Sequence, residues 1–177
     1  NFSNIKLKRN WRLNERHYGS LQGLNKKDTA RKYGDKKVLE WRRGYSIPPP
    51  PLSLDEKSHP LKDPKYANIN KKYIPSSESL KDVVNRLSPF WNREVKPIIN
   101  EGKNVLIVAH GNSIRAIVKI IKDLSELEIV KLNIPTGVPL IIEFDKDNFV
   151  KNDYYLGDEK DIYKKINSVA NQATNEK

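Results

Sequence analysis

Two places in the sequence bring together residue types suited to handling anions. In the first, the apolar run at residues 105–109 gives way to His110-Gly111-Asn112-Ser113 and then to a helical pattern of Ile114, Ile117, Val118 and Ile121. A side chain just past the C-terminal end of a parallel strand points into the crevice where α/β proteins bind ligands. Gly111 lets the backbone come close to a ligand, and the free N–H groups opening the next helix attract phosphate. An imidazole there can donate to a migrating phosphoryl group or attack it. A lone histidine is more often structural, but its place at this junction favours the chemical reading.

The second place is Trp11-Arg12-Leu13-Asn14-Glu15-Arg16-His17-Tyr18-Gly19, leading to Lys26 and then to Trp41-Arg42-Arg43. It sets one carboxylate among several cations and a phenol. Arginine forks hold phosphate or carboxylate through paired hydrogen bonds, and lysine supplies a compact charge. A single glutamate among them could take a substrate proton as general base. The same pattern describes a surface ion-pair cluster of little energetic value. The residues alone leave both readings open.

The elements that must position these groups follow from the hydrophobic pattern. Residues 5–8 alternate like a short strand. Asn25 caps a helix that Gly34 ends, and a second short helix starts at Asp35 and carries Val38, Leu39 and Arg42. The run Pro48-Pro49-Pro50-Pro51 opens a long irregular loop reaching about Pro75, with His59 expected on its surface. From Ser79 a helix shows Leu80, Val83, Val84 and Leu87 on one stripe, and Pro89 should kink or locally break it. Residues 105–109 read as a strand buried on both faces of a parallel sheet. Ser125-Glu126-Leu127-Glu128 is a capping box, residues 138–144 and 154–156 read as strands, and Asp158 caps a last helix with Ile162, Ile166 and Val169 inward. The polar tail from Asn171 is expected to be mobile. Helices alternating with apolar strands indicate an α/β sheet covered on both faces.

Composition narrows the field. The 177 residues suit one domain, and the absence of cysteine excludes disulfides and thiolate metal sites. No His and carboxylate cluster stands at ligand spacing, so no metal is expected. No apolar run approaches the roughly 20 residues of a membrane helix, and no leading segment reads as a secretory signal. A cytoplasmic protein is expected. Lys and Arg exceed Asp and Glu by 33 to 22, a net +11 that suits small multiply charged anions as well as polyanions. No aromatic platforms interleave with a basic stripe, which argues against nucleic acid. The chain contains no methionine, so Asn1 is not expected to be the biological start.

Glu15-Arg16-His17-Tyr18-Gly19, with Leu21 and Gly23-Leu24-Asn25-Lys26, resembles the characteristic segment of cofactor-dependent phosphoglycerate mutases. Trp41-Arg42-Arg43 with the proline run, Ala109-His110-Gly111-Asn112-Ser113-Ile114-Arg115, and Leu132-Asn133-Ile134-Pro135-Thr136-Gly137-Val138-Pro139 continue the likeness in order, and Val169-Ala170-Asn171-Gln172 is similar to the family's tail. The family belongs to the histidine phosphatase superfamily.

The resemblance implies an α/β fold of three α/β/α layers around a mostly parallel sheet, here a single domain over residues 1–177 without the family's N-terminal strands. It implies interconversion of 3- and 2-phosphoglycerate through a phosphohistidine primed by 2,3-bisphosphoglycerate, with no metal, in a homodimer or homotetramer. Glu15 matches the family's proton donor and acceptor, and His110 the second active-site histidine. Arg16, His17, Tyr18, Lys26, Arg42 and Arg43 match substrate-contacting positions, and Gly111 and Asn112 the phosphate-binding turn. The family's nucleophile stands in an Arg-His-Gly segment, and none of His17, His59 and His110 has that context. The strand at 105–109 sits in the family between two strands that this sequence lacks, so the chain alone is expected neither to fold well nor to turn over. The alternatives are a bisphosphoglycerate mutase or phosphatase of the same family, and an inactive homologue or fragment.

Overall fold

The structure, a computed structural model, describes residues 5–171. Its centre is a pair of helices, α3 (Leu80–Phe90) against α5 (Gly111–Lys122). Ser79 opens α3 through a reciprocal capping box: its hydroxyl accepts the Asp82 N–H at 3.3 Å, and Asp82 accepts the Ser79 N–H at 2.8 Å. Leu80, Val83, Leu87 and Phe90 form the buried stripe and pack with Ala116 and Ile117 of α5, beside Trp91, Val95 and Ile129. Full burial of each large apolar side chain contributes about 1.5–3 kcal/mol. Ser79→Ala should therefore leave the stripe intact and lower stability by only about 1 kcal/mol, read from chemical denaturation midpoints.

Pro89 stands inside α3 without breaking it, and a π-helical turn, Trp91–Val95, follows before α4 (Lys96–Asn100). Prolines at 89 and 97 bracket this turn, and neither can donate the ordinary helical N–H. The Lys96 N–H reaches instead to the Trp91 carbonyl, the wider spacing of a π turn. Helical structure thus runs through Pro89, and the widened turn stands just after it.

Around this centre lie α1 (Lys26–Tyr33), α2 (Asp35–Arg43), α6 (Glu126–Lys131) and α7 (Glu159–Asn171). Gly34 separates the first two at φ +82°, a conformation glycine adopts freely. Leu21, Val38 and Trp41 make a second small core with Tyr18 and Tyr33. Ser125 and Glu128 form the expected capping box of α6. The sheet described is a pair of antiparallel strands, β1 (Leu140–Phe144) and β2 (Val150–Tyr155), in register Leu140 with Tyr155 and with an irregularity between Glu143 and Phe144. Asp145 shapes their turn by accepting the N–H groups of Asp147 and Phe149, both at 2.9 Å.

Three sequence expectations require comment. Residues 5–8 form no strand and are exposed. Residues 105–109 join no ladder among the described residues: Ile107 packs against the core, while Leu106 and Val108 stand 85% and 82% exposed. An apolar run of this kind needs hydrogen-bonding neighbours on both edges, and the described residues supply none. His59 is buried at 1% exposure rather than on the surface. Its Nδ1 accepts the Leu61 N–H at 3.1 Å, so the ring proton sits on Nε2, 3.0 Å from the Ser76 hydroxyl. The proline-rich segment turns through Pro60–Lys62, Pro64–Tyr66 and Lys71–Tyr73 and closes with the Leu52 N–H on the Ser76 carbonyl, folding over its own histidine. Asn171, the expected start of the polar tail, is the last residue of α7, and the rest of that tail lies outside the described residues. Among the described residues no helix is long and apolar enough to cross a membrane.

Candidate active site

A cleft of about 680 Å³ runs between the segment after Leu13, the proline-rich loop and the start of α5. Glu15, Arg16, His17, Tyr18, Arg42 and His110 all line it, so the two sequence constellations meet in one place. The junction is fixed by the Ser113 hydroxyl, fully buried, donating to the Asn14 carbonyl at 2.6 Å. A second link is the Asn112 side-chain amide donating to the Tyr18 hydroxyl at 3.1 Å.

Glu15 is half-buried, and its carboxylate accepts the N–H of Arg16 at 2.6 Å. Arg16 is buried at 2% exposure. It donates from Nη2 to the Trp41 carbonyl at 2.6 Å and lies over the Tyr18 ring, 4.5 Å from its centre. Arg42 approaches the same ring at 5.7 Å. The Nε and Nη1 groups of Arg16 and the Nε groups of Arg42 and Arg115 are buried without an acceptor. Unpaired buried donors are costly unless something meets them, and guanidinium donors are met best by an anion.

Arg115 was not singled out as a site residue by sequence. It is 6% exposed, donates to the Asn112 side chain at 3.1 Å and to the Ile129 carbonyl at 2.6 Å, and so ties α5 to α6. Burial, with Arg43 and Arg16 nearby, pushes its pKa down to about 10. Burial also lowers those of Arg16 and Arg43. The signal for Arg115 lay in its spacing, one helical turn beyond Asn112.

The other residues expected at the site divide. His110 caps α5 with its own side chain free of any capping hydrogen bond and exposed to the cleft. Gly111 opens the helix, and a Cβ there would meet nothing within 4 Å, leaving clear space above the N–H groups. Arg43 turns away from the cleft: it donates to the Asn133 side chain at 2.8 Å and to the Val169 and Ala170 carbonyls at 3.1 and 3.0 Å, holding the end of α7. Lys26 is the first residue of α1, and its side chain lies outside the described residues. Among the described residues no group of three His, Asp or Glu could hold a metal ion.

His17 lines the cleft, yet its Nδ1 accepts the Gly19 N–H at 3.0 Å, which fixes the ring within its own turn. Burial holds its pKa below the ordinary value of 6.5, with Glu78 pulling upward and His59 pushing further down. The folded state therefore binds this proton more weakly than the unfolded chain. The stabilising contribution is full above pH 6.5 and is lost as the pH falls through the lowered folded value. His17→Gln should flatten the fall in urea midpoint on acidification below about pH 6.5. An unchanged slope would assign that fall to other groups.

The profile of the histidine phosphatase superfamily (branch 1) matches residues 53–156. The 2,3-bisphosphoglycerate-dependent phosphoglycerate mutase of Borreliella burgdorferi (strain ZS7) is 56% identical over 171 residues, covering 96% of this chain and 68% of that protein. The proteins of the same name from Borreliella afzelii (strain PKo) and Borrelia garinii subsp. bavariensis are 56% and 55% identical over the same shares. A cleft that joins a buried arginine cluster, a glutamate and a helix-capping histidine agrees with these matches, and the chain belongs to the 2,3-bisphosphoglycerate-dependent phosphoglycerate mutases of the histidine phosphatase superfamily.

Proposed function

We propose that this protein interconverts 3-phosphoglycerate and 2-phosphoglycerate and that 2,3-bisphosphoglycerate primes it. The observation that carries this reading is the set of buried guanidinium donors without acceptors on Arg16 and Arg42, which line the same cleft as Glu15. A substrate bearing phosphate and carboxylate groups satisfies such donors, and a neutral one leaves them unpaired. These residues therefore fit 2,3-bisphosphoglycerate, which when bound supplies the phosphoryl group that charges the enzyme.

Arg16 and Arg42 hold the anionic groups, with Tyr18 backing both guanidinium planes. Glu15 takes the proton of the glycerate hydroxyl on its carboxylate as that oxygen attacks phosphorus, and returns it in the reverse step. His110 and the N–H groups that open α5 face the migrating group and stabilise its charge. The phosphoryl carrier in this reading is the histidine of the family's Arg-His-Gly segment, which is not part of this sequence. By the likeness to the family His17 and Lys26 are further substrate contacts and Gly111 and Asn112 form the phosphate-binding turn, while Arg43 supports the pocket. Of these, Arg43 carries the end of α7 and Asn112 the Tyr18 hydroxyl.

The likeness to the family supports the three-layer arrangement around a mostly parallel sheet in a single domain. The likeness to the family supports a cytoplasmic homodimer or homotetramer acting on small phosphoglycerates. The test is phosphoglycerate interconversion by the intact protein with and without 2,3-bisphosphoglycerate. Activity stimulated by the bisphosphate is expected. Synthesis or hydrolysis of the bisphosphate without mutase turnover would replace this reading with a synthase or phosphatase.

A further inference from the structure

Glu15 lies in a stretch of chain that has no helix or ladder of its own, between the turn Trp11–Leu13 and the turn Gly19–Leu21. A catalytic carboxylate on irregular backbone needs something rigid to hold it. Two residues of the α3 region fill that part of the structure. The Arg86 side chain donates from Nη1 to the Arg12 carbonyl, from Nη2 to the Asn14 carbonyl at 2.8 Å, and from Nη2 to the Glu15 carbonyl at 3.4 Å. Its Nε reaches Glu78 Oε1 at 2.6 Å, and Nη2 reaches Glu78 Oε2 at 3.2 Å. Glu78 in turn accepts the His17 N–H at 2.9 Å and gives its own N–H to the His17 carbonyl at 2.8 Å.

We propose that the Arg86–Glu78 pair is a positioning device for Glu15, fixing the backbone on both sides of that residue and so the place of its carboxylate in the cleft. This rests on the reading of Glu15 as the base. The pair is embedded, with side chains 10% and 5% exposed, and Arg86 stands on α3 one residue before the buried Leu87. Its anchorage is therefore the central helix. Both residues border the cleft, which raises direct contact with substrate as the competing role. Two features oppose that role. Nε, Nη1 and Nη2 of the guanidinium are already engaged by the chain, and Glu78 neutralises its charge, leaving little attraction for an anion. The planar fork matters too, because an ammonium cannot address several carbonyls and a carboxylate at once.

Arg86→Lys should lower kcat about 10- to 100-fold with KM changed less than about 3-fold, as expected when a reacting group is displaced by a fraction of an ångström to an ångström. Because the effect passes through Glu15, the double variant Glu15→Gln/Arg86→Lys should be no slower than Glu15→Gln alone. Glu78→Gln serves as the second variant, with a smaller loss of the same kind. Hydrogen exchange gives a readout independent of activity: the His17 amide should exchange faster in both variants while the α3 amides keep their protection. Additive losses in the double variant, or a raised KM at unchanged kcat, would overturn the proposal in favour of direct binding or general destabilisation. Unchanged His17 exchange would overturn it as well. An intact protein without mutase activity would instead remove the reading of Glu15, and the exchange data would then decide alone whether the pair holds this backbone.

Discussion

Glu15→Gln should lower kcat by about 10²- to 10⁴-fold while thermal unfolding stays within a few degrees of the parent. The carboxylate is half-buried and accepts the Arg16 N–H, a bond that a glutamine oxygen can keep. The change is nearly isosteric, so packing has no reason to alter. What it removes is the capacity to accept a proton at that oxygen. Binding by Arg16 and Arg42 remains, so KM should move much less than kcat. Turnover of the intact protein with 2,3-bisphosphoglycerate present is the measurement, and a kcat near the parent value would assign the proton transfer elsewhere. A proportionate loss of folded protein would show that Glu15 acts on stability.

Gly19→Ala should be the most damaging single-methyl change in this region, costing about 2–4 kcal/mol of stability and most of the activity. Gly19 sits at φ +58°, where a Cβ would lie 2.1 Å from the Pro50 carbonyl oxygen and 2.9 Å from the Ser77 hydroxyl. The close neighbour is backbone, so it cannot swing aside. The same junction carries the Ser20 N–H to the Pro50 carbonyl at 2.9 Å, joining the catalytic segment to the proline run. Relief of the clash must move Tyr18 and His17 or lift the loop, and both border the cleft. Gly23→Ala is the control. That residue also has positive φ, at +77°, but nothing lies within 4 Å of its Cβ position, so only the conformational cost of about 1–2 kcal/mol should be felt. Denaturant midpoints of the two variants decide the matter, and equal losses would mean that the close approach to Pro50 is unimportant.

Both predictions concern residues whose importance was legible to different degrees. His110 was favoured by its setting after an apolar run, while the residues around Glu15 left a surface ion-pair cluster equally open until the resemblance was weighed; both motifs reside in residue type and short spacing. The helices were legible for the same reason. The Ser125 cap, the helix starting at Ser79 and the stripe of Leu80, Val83 and Leu87 are set by neighbours three and four residues away, and the structure shows them where the pattern placed them. Three sites escaped. His59 was expected on the surface because prolines surround it, but burial depends on the loop closing from Leu52 to Ser76, a contact that no local pattern encodes. Arg86 carries no local motif, and the carbonyls it holds lie more than 70 residues away along the chain. Arg43 looked like Arg42, yet one faces the cleft and the other holds the end of α7, since adjacent positions on a helix point about 100° apart.

The sequence by itself thus determined the family, the helices with their caps, and the kinds of group available for phosphoryl chemistry, since all of these reside in residue identity and short spacing. Tertiary structure decided which cations face the cleft, that Arg16 and Arg115 are buried with donors unmet, and that Glu15 hangs from α3 through Arg86 and Glu78. It also decided that residues 105–109, apolar enough for a central strand, join no ladder among the described residues. A strand's pattern states what its faces prefer, whereas its hydrogen bonds belong to whichever chains lie beside it.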